Sequence, residues 1–293
     1  MQFDEVPIPT PGSGELLVRV KVASVNPIDW KIREGLVAQF FPIEFPRTLG
    51  RDGVGEVVAL GADVSGWQLG DRVLGVAIPG RDGTHAQYVC VSAATSAPVP
   101  SSVADDAAVC LGIAGLSAFI PLIEVAALKA GERVLIHAAA GGVGGLAVQM
   151  AREIGAEVIA TCSADNTDYV RSLGATTVID YQREDFVALA GSCDVVLDVM
   201  GGEVHQRSAK VLRAGGRLVY LAAAPVAPIA RTDIRVEMAR IAPTRVRLSN
   251  LLQWAAERRI KPQIGRHFLL ADLPAAYAAS KTGRARGKII ITV

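Results

Sequence analysis

Arg133-Val134-Leu135-Ile136-His137-Ala138-Ala139-Ala140-Gly141-Gly142-Val143-Gly144-Gly145 decides the fold. Val134 to Ile136 is apolar without polar alternation, the mark of a parallel strand buried on both faces. A glycine turn follows, and Val143 to Ile154 continues at helical spacing until Gly155 stops it. Strand, glycine turn and helix in that order form a dinucleotide-binding loop. The glycines let the backbone approach a pyrophosphate, and the open N–H groups and dipole of the helix start favour the anion. Ala139 stands where the G-x-G-x-x-G pattern has its first glycine.

Downstream the alternation repeats. Strands are expected at Val158–Thr161, Thr177–Ile179, Val195–Val199 and Arg217–Ala222. Helices are expected at Asn166–Leu173, Arg183–Leu189 and Glu203–Leu212, the last stopped by Gly215-Gly216. This spacing implies β-α-β crossovers and an α/β doubly wound parallel sheet. Upstream, Leu16–Val22, Gly53–Leu60 and Arg72–Val76 read as short strands between Pro- and Gly-rich turns, with no helix periodicity among them. The C-terminal stretch mixes a helix near Arg245–Arg258, a strand near Pro262–Leu269, a helix at Leu273–Lys281 and a final strand Lys288–Val293.

With 293 residues the chain has enough length for two cores. Its 30 Lys and Arg against 29 Asp and Glu leave a net charge of +1, so no basic field points to nucleic acid. No apolar run is long enough to span a bilayer. Met1-Gln2-Phe3-Asp4-Glu5 lacks the basic and apolar regions of a signal peptide. Cys90, Cys110, Cys162 and Cys193 are scattered, without metal or disulfide spacing, and suit a reducing cytoplasm. His85, His137, His205 and His267 also lack ligand spacing and are assigned no catalytic role.

The chain resembles the medium-chain dehydrogenase/reductase superfamily, in its zinc-free quinone oxidoreductase (zeta-crystallin-like) branch. The resemblance runs through Ser24-Val25-Asn26-Pro27-Ile28-Asp29-Trp30-Lys31, Gly50-Arg51-Asp52-Gly53-Val54-Gly55 and Gly70-Asp71-Arg72-Val73. It continues through the glycine loop, Leu173-Gly174-Ala175, Asp194–Gly202 and Arg286-Gly287-Lys288. It implies a GroES-like catalytic domain of residues 1–108 and 243–293 around an inserted Rossmann domain, 109–242, with the cofactor in the cleft. Family members usually begin with a further strand and hairpin, whereas here Val6-Pro7-Ile8-Pro9 comes almost at once. An exposed sheet edge is expected there.

Catalytic zinc needs three protein ligands. Zinc-dependent relatives place a Cys where this chain has Asn26, and Gly-His-Glu where it has Gly50-Arg51-Asp52. No metal is expected, and Asp52 is expected to pair with neighbouring Arg51. An NAD-preferring fold carries an acid about 20 residues past the glycines. Here the second strand ends in Cys162-Ser163, and a small hydroxyl can donate to a 2′-phosphate that an acid would repel. Asp165, close to that strand end, is either an acid near the ribose or a cap for the helix beginning around Asn166. By the resemblance Tyr181 reaches the 2′-phosphate, which makes NADPH the expected cofactor. Lys288 is either a cation for that phosphate or a solvated surface lysine. Ser117, Ala140, Gly141, Gly142, Val143, Gly144 and Ala222 complete the expected cofactor contacts.

Without a Lewis acid, hydride transfer suits an acceptor that delocalises charge, such as a quinone or an α,β-unsaturated carbonyl. Asn26 is the candidate for holding nicotinamide or substrate. Asp29 is a candidate orienting acid. Lys31 is a candidate proton donor or ribose contact, with a solvated domain-edge lysine as the other reading. Asp198 either touches cofactor or caps the next helix. The alternating segment Asp233–Ile241 resembles an edge strand that pairs subunits, so a homodimer is expected. Two other functions stay open: an enoyl-thioester reductase, and a non-catalytic NADPH-binding sensor or interaction protein.

Overall fold

The computed structural model describes residues 1–221 and 226–293, which form two compact units, Met1–Leu116 with Ala242–Val293, and Ser117–Ile241. Ala222, expected at the cofactor site, lies outside the described residues.

The first unit carries β1 (Glu15–Val25), β2 (Asp52–Leu60), β3 (Arg72–Val76), β4 (Tyr88–Ser92) and β5 (Ala97–Pro98). The second carries β6 (Arg133–Ile136), β7 (Glu157–Cys162), β8 (Thr177–Asp180), β9 (Cys193–Asp198), β10 (Leu212–Tyr220) and β11 (Arg235–Met238). The chain then returns to the first unit with β12 (Ile264–Leu269) and β13 (Lys288–Thr292).

In the first unit the strands run β12-β13-β1-β2-β3-β5, with β4 also on β1. Inward residues of β1 and its neighbours (Leu16, Val18, Val20, Val57, Val73, Val89, Val91, Ile289, Ile291) pack with Tyr277 into one core. Burying each aliphatic side chain contributes roughly 1.5–3 kcal/mol. Residues 1–12 run without helix or strand, and Phe3, Val6 and Ile8 stand exposed. A helix, Pro27–Arg33, interrupts a region that reads as purely β. Its signals are local: Pro27 suits the first helical position, and the Asp29 carboxylate accepts the Asn26 N–H at 2.7 Å.

In the second unit every strand pair is parallel and the order is β11-β10-β9-β6-β7-β8. Counted from β6, this is the doubly wound order 3-2-1-4-5-6, in which the direction of winding reverses beside the first strand. Val134, Leu135 and Ile136 are wholly buried, as a central parallel strand requires. Two elements differ from their sequence reading. The helix at Arg183–Leu189 shortens to Phe186–Leu189, because the Asp185 carboxylate accepts the Val187 N–H at 2.9 Å and starts it later. Gly215-Gly216 ends no helix; both lie inside β10, where its register against β9 shifts between Leu212 and Arg217.

Candidate active site

In the second unit β6 leads into the glycine turn. The Ala139 N–H donates to the Thr161 carbonyl at 2.9 Å, and the Gly141 N–H to the Ala138 carbonyl at 3.0 Å. The helix Gly142–Ile154 then begins without any side-chain cap. The amides of Gly142, Val143 and Gly144 have no acceptor within their own helix and are available to an anion. A Cβ on Gly144 would lie 2.3 Å from the Ala138 oxygen, so only glycine lets the turn close this tightly. An uncapped helix start behind a turn that glycine alone can close fits a dinucleotide pyrophosphate.

β7 and β8 pair Cys162 with Asp180, which sets Ser163 and Tyr181 side by side at their C-terminal ends. The Tyr181 N–H donates to the Cys162 carbonyl, and its side chain is exposed. Ser163 Oγ accepts from Asn166 Nδ2 at 2.9 Å, which leaves its own proton to donate. Ser117 is buried in the short helix Leu116–Phe119. Asp198 ties the turn that precedes the helix Gly202–Ser208, which has no side-chain cap of its own: its carboxylate accepts from the Met200 and Gly201 N–H groups and from His205 Nδ1 at 2.8 Å. His137 is structural. Ser208 donates to the Val204 carbonyl and so accepts from His137 Nε2, and Thr161 then donates to Nδ1. Burial pushes the His137 pKa down to about 4, so the ring is neutral.

In the first unit, strand register builds a polar network. β1 and β2 pair Ala23 with Gly53, so the next residues, Ser24 and Asp52, face each other. β1 and β13 pair Val25 with Ile289, which brings Asn26 to Lys288. Asp52 is wholly buried and accepts from Ser24 Oγ (2.6 Å), Asn26 Nδ2 (2.9 Å) and the Ile113 N–H (2.6 Å). Asn26 Nδ2 also donates to Ser24 Oγ at 3.3 Å, and its Oδ1 accepts from Lys288 Nζ at 2.8 Å. The second Lys288 partner is the Val25 carbonyl at 3.0 Å.

One expectation is corrected here, and one of two open readings is removed. Asp52 does not pair with Arg51, whose Nε has no partner among the described residues and whose guanidinium lies 5.9 Å from the Phe41 ring. Neighbours at the start of a strand point to opposite faces. Lys288 is not a solvated surface residue: it is buried against Asn26. Asn26 has no free donor, since its amide hydrogens go to Asp52 and Ser24.

Asp29, also buried, has one oxygen, Oδ1, without a partner among the described residues. Burial, with the nearby Asp52 charge, raises its pKa to about 7. Lys31 is half-buried, which lowers its pKa, and its Nζ lies 5.7 Å from the Trp30 ring centre. Beneath the network His85 bridges the Ser24 carbonyl (3.2 Å) and the Tyr277 hydroxyl (3.0 Å). Sequence reasoning missed the roles of Ser24, Asp52, His85 and Tyr277: strand register joins the first two, whereas His85 lies outside any strand and Tyr277 in the helix Leu273–Lys281, so only the tertiary fold brings them in.

The same network is unsuited to zinc. Asn26 Oδ1 already holds an ammonium, and burial pushes the Cys110 thiol up to about 12, far from the thiolate that zinc binds. Among the described residues no three His, Cys, Asp or Glu side chains gather as a ligand set.

A doubly wound sheet with an anion-binding glycine turn, built into a chain whose other unit is a β-rich fold with a buried polar network, defines a nicotinamide-dinucleotide oxidoreductase. Residues 12–101 match the alcohol dehydrogenase GroES-like domain, and residues 173–291 match the family described as zinc-binding dehydrogenase. A chloroplast envelope quinone oxidoreductase homolog of Arabidopsis thaliana is 32% identical, over 99% of this chain and 93% of its own. A chloroplastic quinone oxidoreductase of Triphysaria versicolor is 34% identical, over 98% and 92%. The solved quinone oxidoreductase of Coxiella burnetii is 33% identical and superposes with a TM-score of 0.91, over 98% of this chain and 93% of that one. The chain belongs to the medium-chain dehydrogenase/reductase superfamily, in its quinone oxidoreductase branch. The plant relatives are chloroplast proteins by name, a compartment other than the cytoplasm that the scattered cysteines suggest. No helix among the described residues is long and apolar enough to cross a membrane.

Proposed function

We propose that this enzyme reduces quinones or α,β-unsaturated carbonyls with NADPH and without a bound metal. One observation carries the cofactor choice: Ser163 and Tyr181 stand together where an NAD enzyme places an acid. A mycobacterial structure complexed with NADPH, 27% identical with a TM-score of 0.89, supports it. The amides of Gly142, Val143 and Gly144, with the backbone of Ala140 and Gly141, hold the pyrophosphate. Ser163 and Tyr181 donate to the 2′-phosphate, and Ser117 lies by the nicotinamide. When bound, the dinucleotide supplies a hydride.

Asn26, fixed by Asp52 and Lys288, offers only an acceptor and so takes a ligand N–H or O–H. Asp29 holds the first turn of the helix Pro27–Arg33 and keeps a proton near neutral pH. Lys31 meets ribose hydroxyls. The exposed edge of β11 pairs with a second copy to form a homodimer. Likeness to the CurK enoyl reductase, 27% identical with a TM-score of 0.89, supports an activated alkene such as an enoyl thioester as the second reading.

The test is oxidation of NADPH and NADH against quinones, enones, aldehydes and enoyl thioesters. The reading expects quinone or enone turnover, with kcat/KM favouring NADPH at least tenfold, about 1.4 kcal/mol. Preference for NADH, or tight NADPH binding without turnover on any acceptor, would overturn it.

A further inference from the structure

We propose that Lys288 is the electrophile of the reaction, donating a proton to the acceptor oxygen as the hydride arrives. The inference rests on the reductase reading above and adds the residue that takes up the developing negative charge.

The argument starts from valence. An ammonium has three N–H groups. Two of those on Lys288 go to neutral oxygens, the Val25 carbonyl and Asn26 Oδ1. The third has no acceptor among the described residues, and no carboxylate there lies within ion-pair distance of Nζ. A buried cation without a counter-ion is costly, and oxygen that gains negative charge relieves that cost at the moment it forms. The rest of the network cannot do this work. Both Asn26 amide hydrogens and the Ser24 hydroxyl hydrogen point at Asp52 or at each other. Asp52 is acceptor only, engaged by three donors. His85 gives its one proton to the Ser24 carbonyl and accepts from Tyr277. The unused Lys288 N–H is the one strong donor that this cluster leaves open.

The step balances. The acceptor carbon takes the hydride from the reduced dinucleotide, and the electron pair of its π system moves to oxygen. That oxygen takes the Nζ proton, and Lys288 becomes a neutral amine. Water returns the proton to the amine. Net, the acceptor gains one hydride and one proton, and the dinucleotide leaves oxidised.

The experiment compares wild type with Lys288→Gln, which keeps hydrogen-bond donors without the charge, and Lys288→Arg, which keeps the charge. Wild-type NADPH binding and turnover are measured first; their absence overturns the reductase reading itself. Lys288→Gln is expected to lose about 100-fold in kcat, the scale of one oxyanion donor, with the NADPH Kd within about threefold. The second readout needs no turnover: p-nitrophenol, bound with NADP+ present, is titrated by absorbance. In wild type and Lys288→Arg the bound phenol is expected to ionise at lower pH than in water, and in Lys288→Gln it should not. A Lys288→Gln kcat within about threefold of wild type overturns the proposal. So does a loss confined to NADPH affinity, which would make the ammonium a cofactor contact. If Lys288→Gln fails to fold, a wild-type-bound phenol that ionises as in water overturns it equally.

Discussion

Asp29→Asn should remove a pH-dependent weakness of the native state. The carboxyl is buried, and desolvation, reinforced by Asp52, raises its pKa from 3.8 to about 7 against the opposing pull of the Asn26 N–H, Lys288 and Arg51. A native state that holds a proton longer than the unfolded chain loses stability as pH rises between those two values, and levels off above about 7. The slope is about 1.4 kcal/mol per pH unit and halves by pH 7, so the wild type should lose roughly 2.3 kcal/mol between pH 5 and pH 7 from this group. His85 and His137 oppose the trend. Burial depresses both to about 4, so their contribution grows as pH rises from about 4 to 6.5. Those histidines are common to both proteins and cancel in the difference. Urea unfolding of wild type and Asp29→Asn from pH 5 to pH 8, with the m-values compared, gives that difference directly. The variant's relative stability should climb by roughly 2.5 kcal/mol and flatten above about pH 7. A difference that stays level across the range would show that Asp29 ionises as an ordinary carboxylate, and the account of its burial would be wrong.

Gly144→Ala forces a Cβ against the Ala138 carbonyl and should weaken NADPH binding by about 2 kcal/mol or more, roughly 30-fold, with circular dichroism unchanged; near-native affinity by fluorescence titration would contradict the tight-turn argument. Sedimentation at micromolar concentration should return the mass of a dimer, and a monomeric mass would remove β11 as a subunit contact.

The two units differed in how much their sequences disclosed. The second unit repeats one local pattern, an apolar strand and then an amphipathic helix, so its strands lie close to where periodicity puts them. Its glycine turn is legible for the same reason: every participant lies within a few residues of the next. The polar network is different. Ser24 meets Asp52, and Asn26 meets Lys288, through antiparallel registers that local pattern does not encode. Adjacency misled in the case of Arg51 and Asp52, where strand alternation separates what the sequence joins. The helix at Pro27–Arg33 went unread: seven residues are too few to show helical period, and its signals, Pro27 and the Asp29 cap, are local ones.

β13 lies between β12 and β1 and closes the register that holds Asn26. Those partners are 262 positions apart, with the entire dinucleotide unit translated in between. At about 5–20 residues per second, a ribosome needs roughly 13–50 s to cover that interval. Throughout it, the side of Val22–Val25 that β13 will cover keeps open backbone hydrogen-bonding groups, vulnerable to annealing with a neighbouring nascent chain. Folding of that edge therefore waits on the last strand made, and the ammonium that holds Asn26 arrives with it.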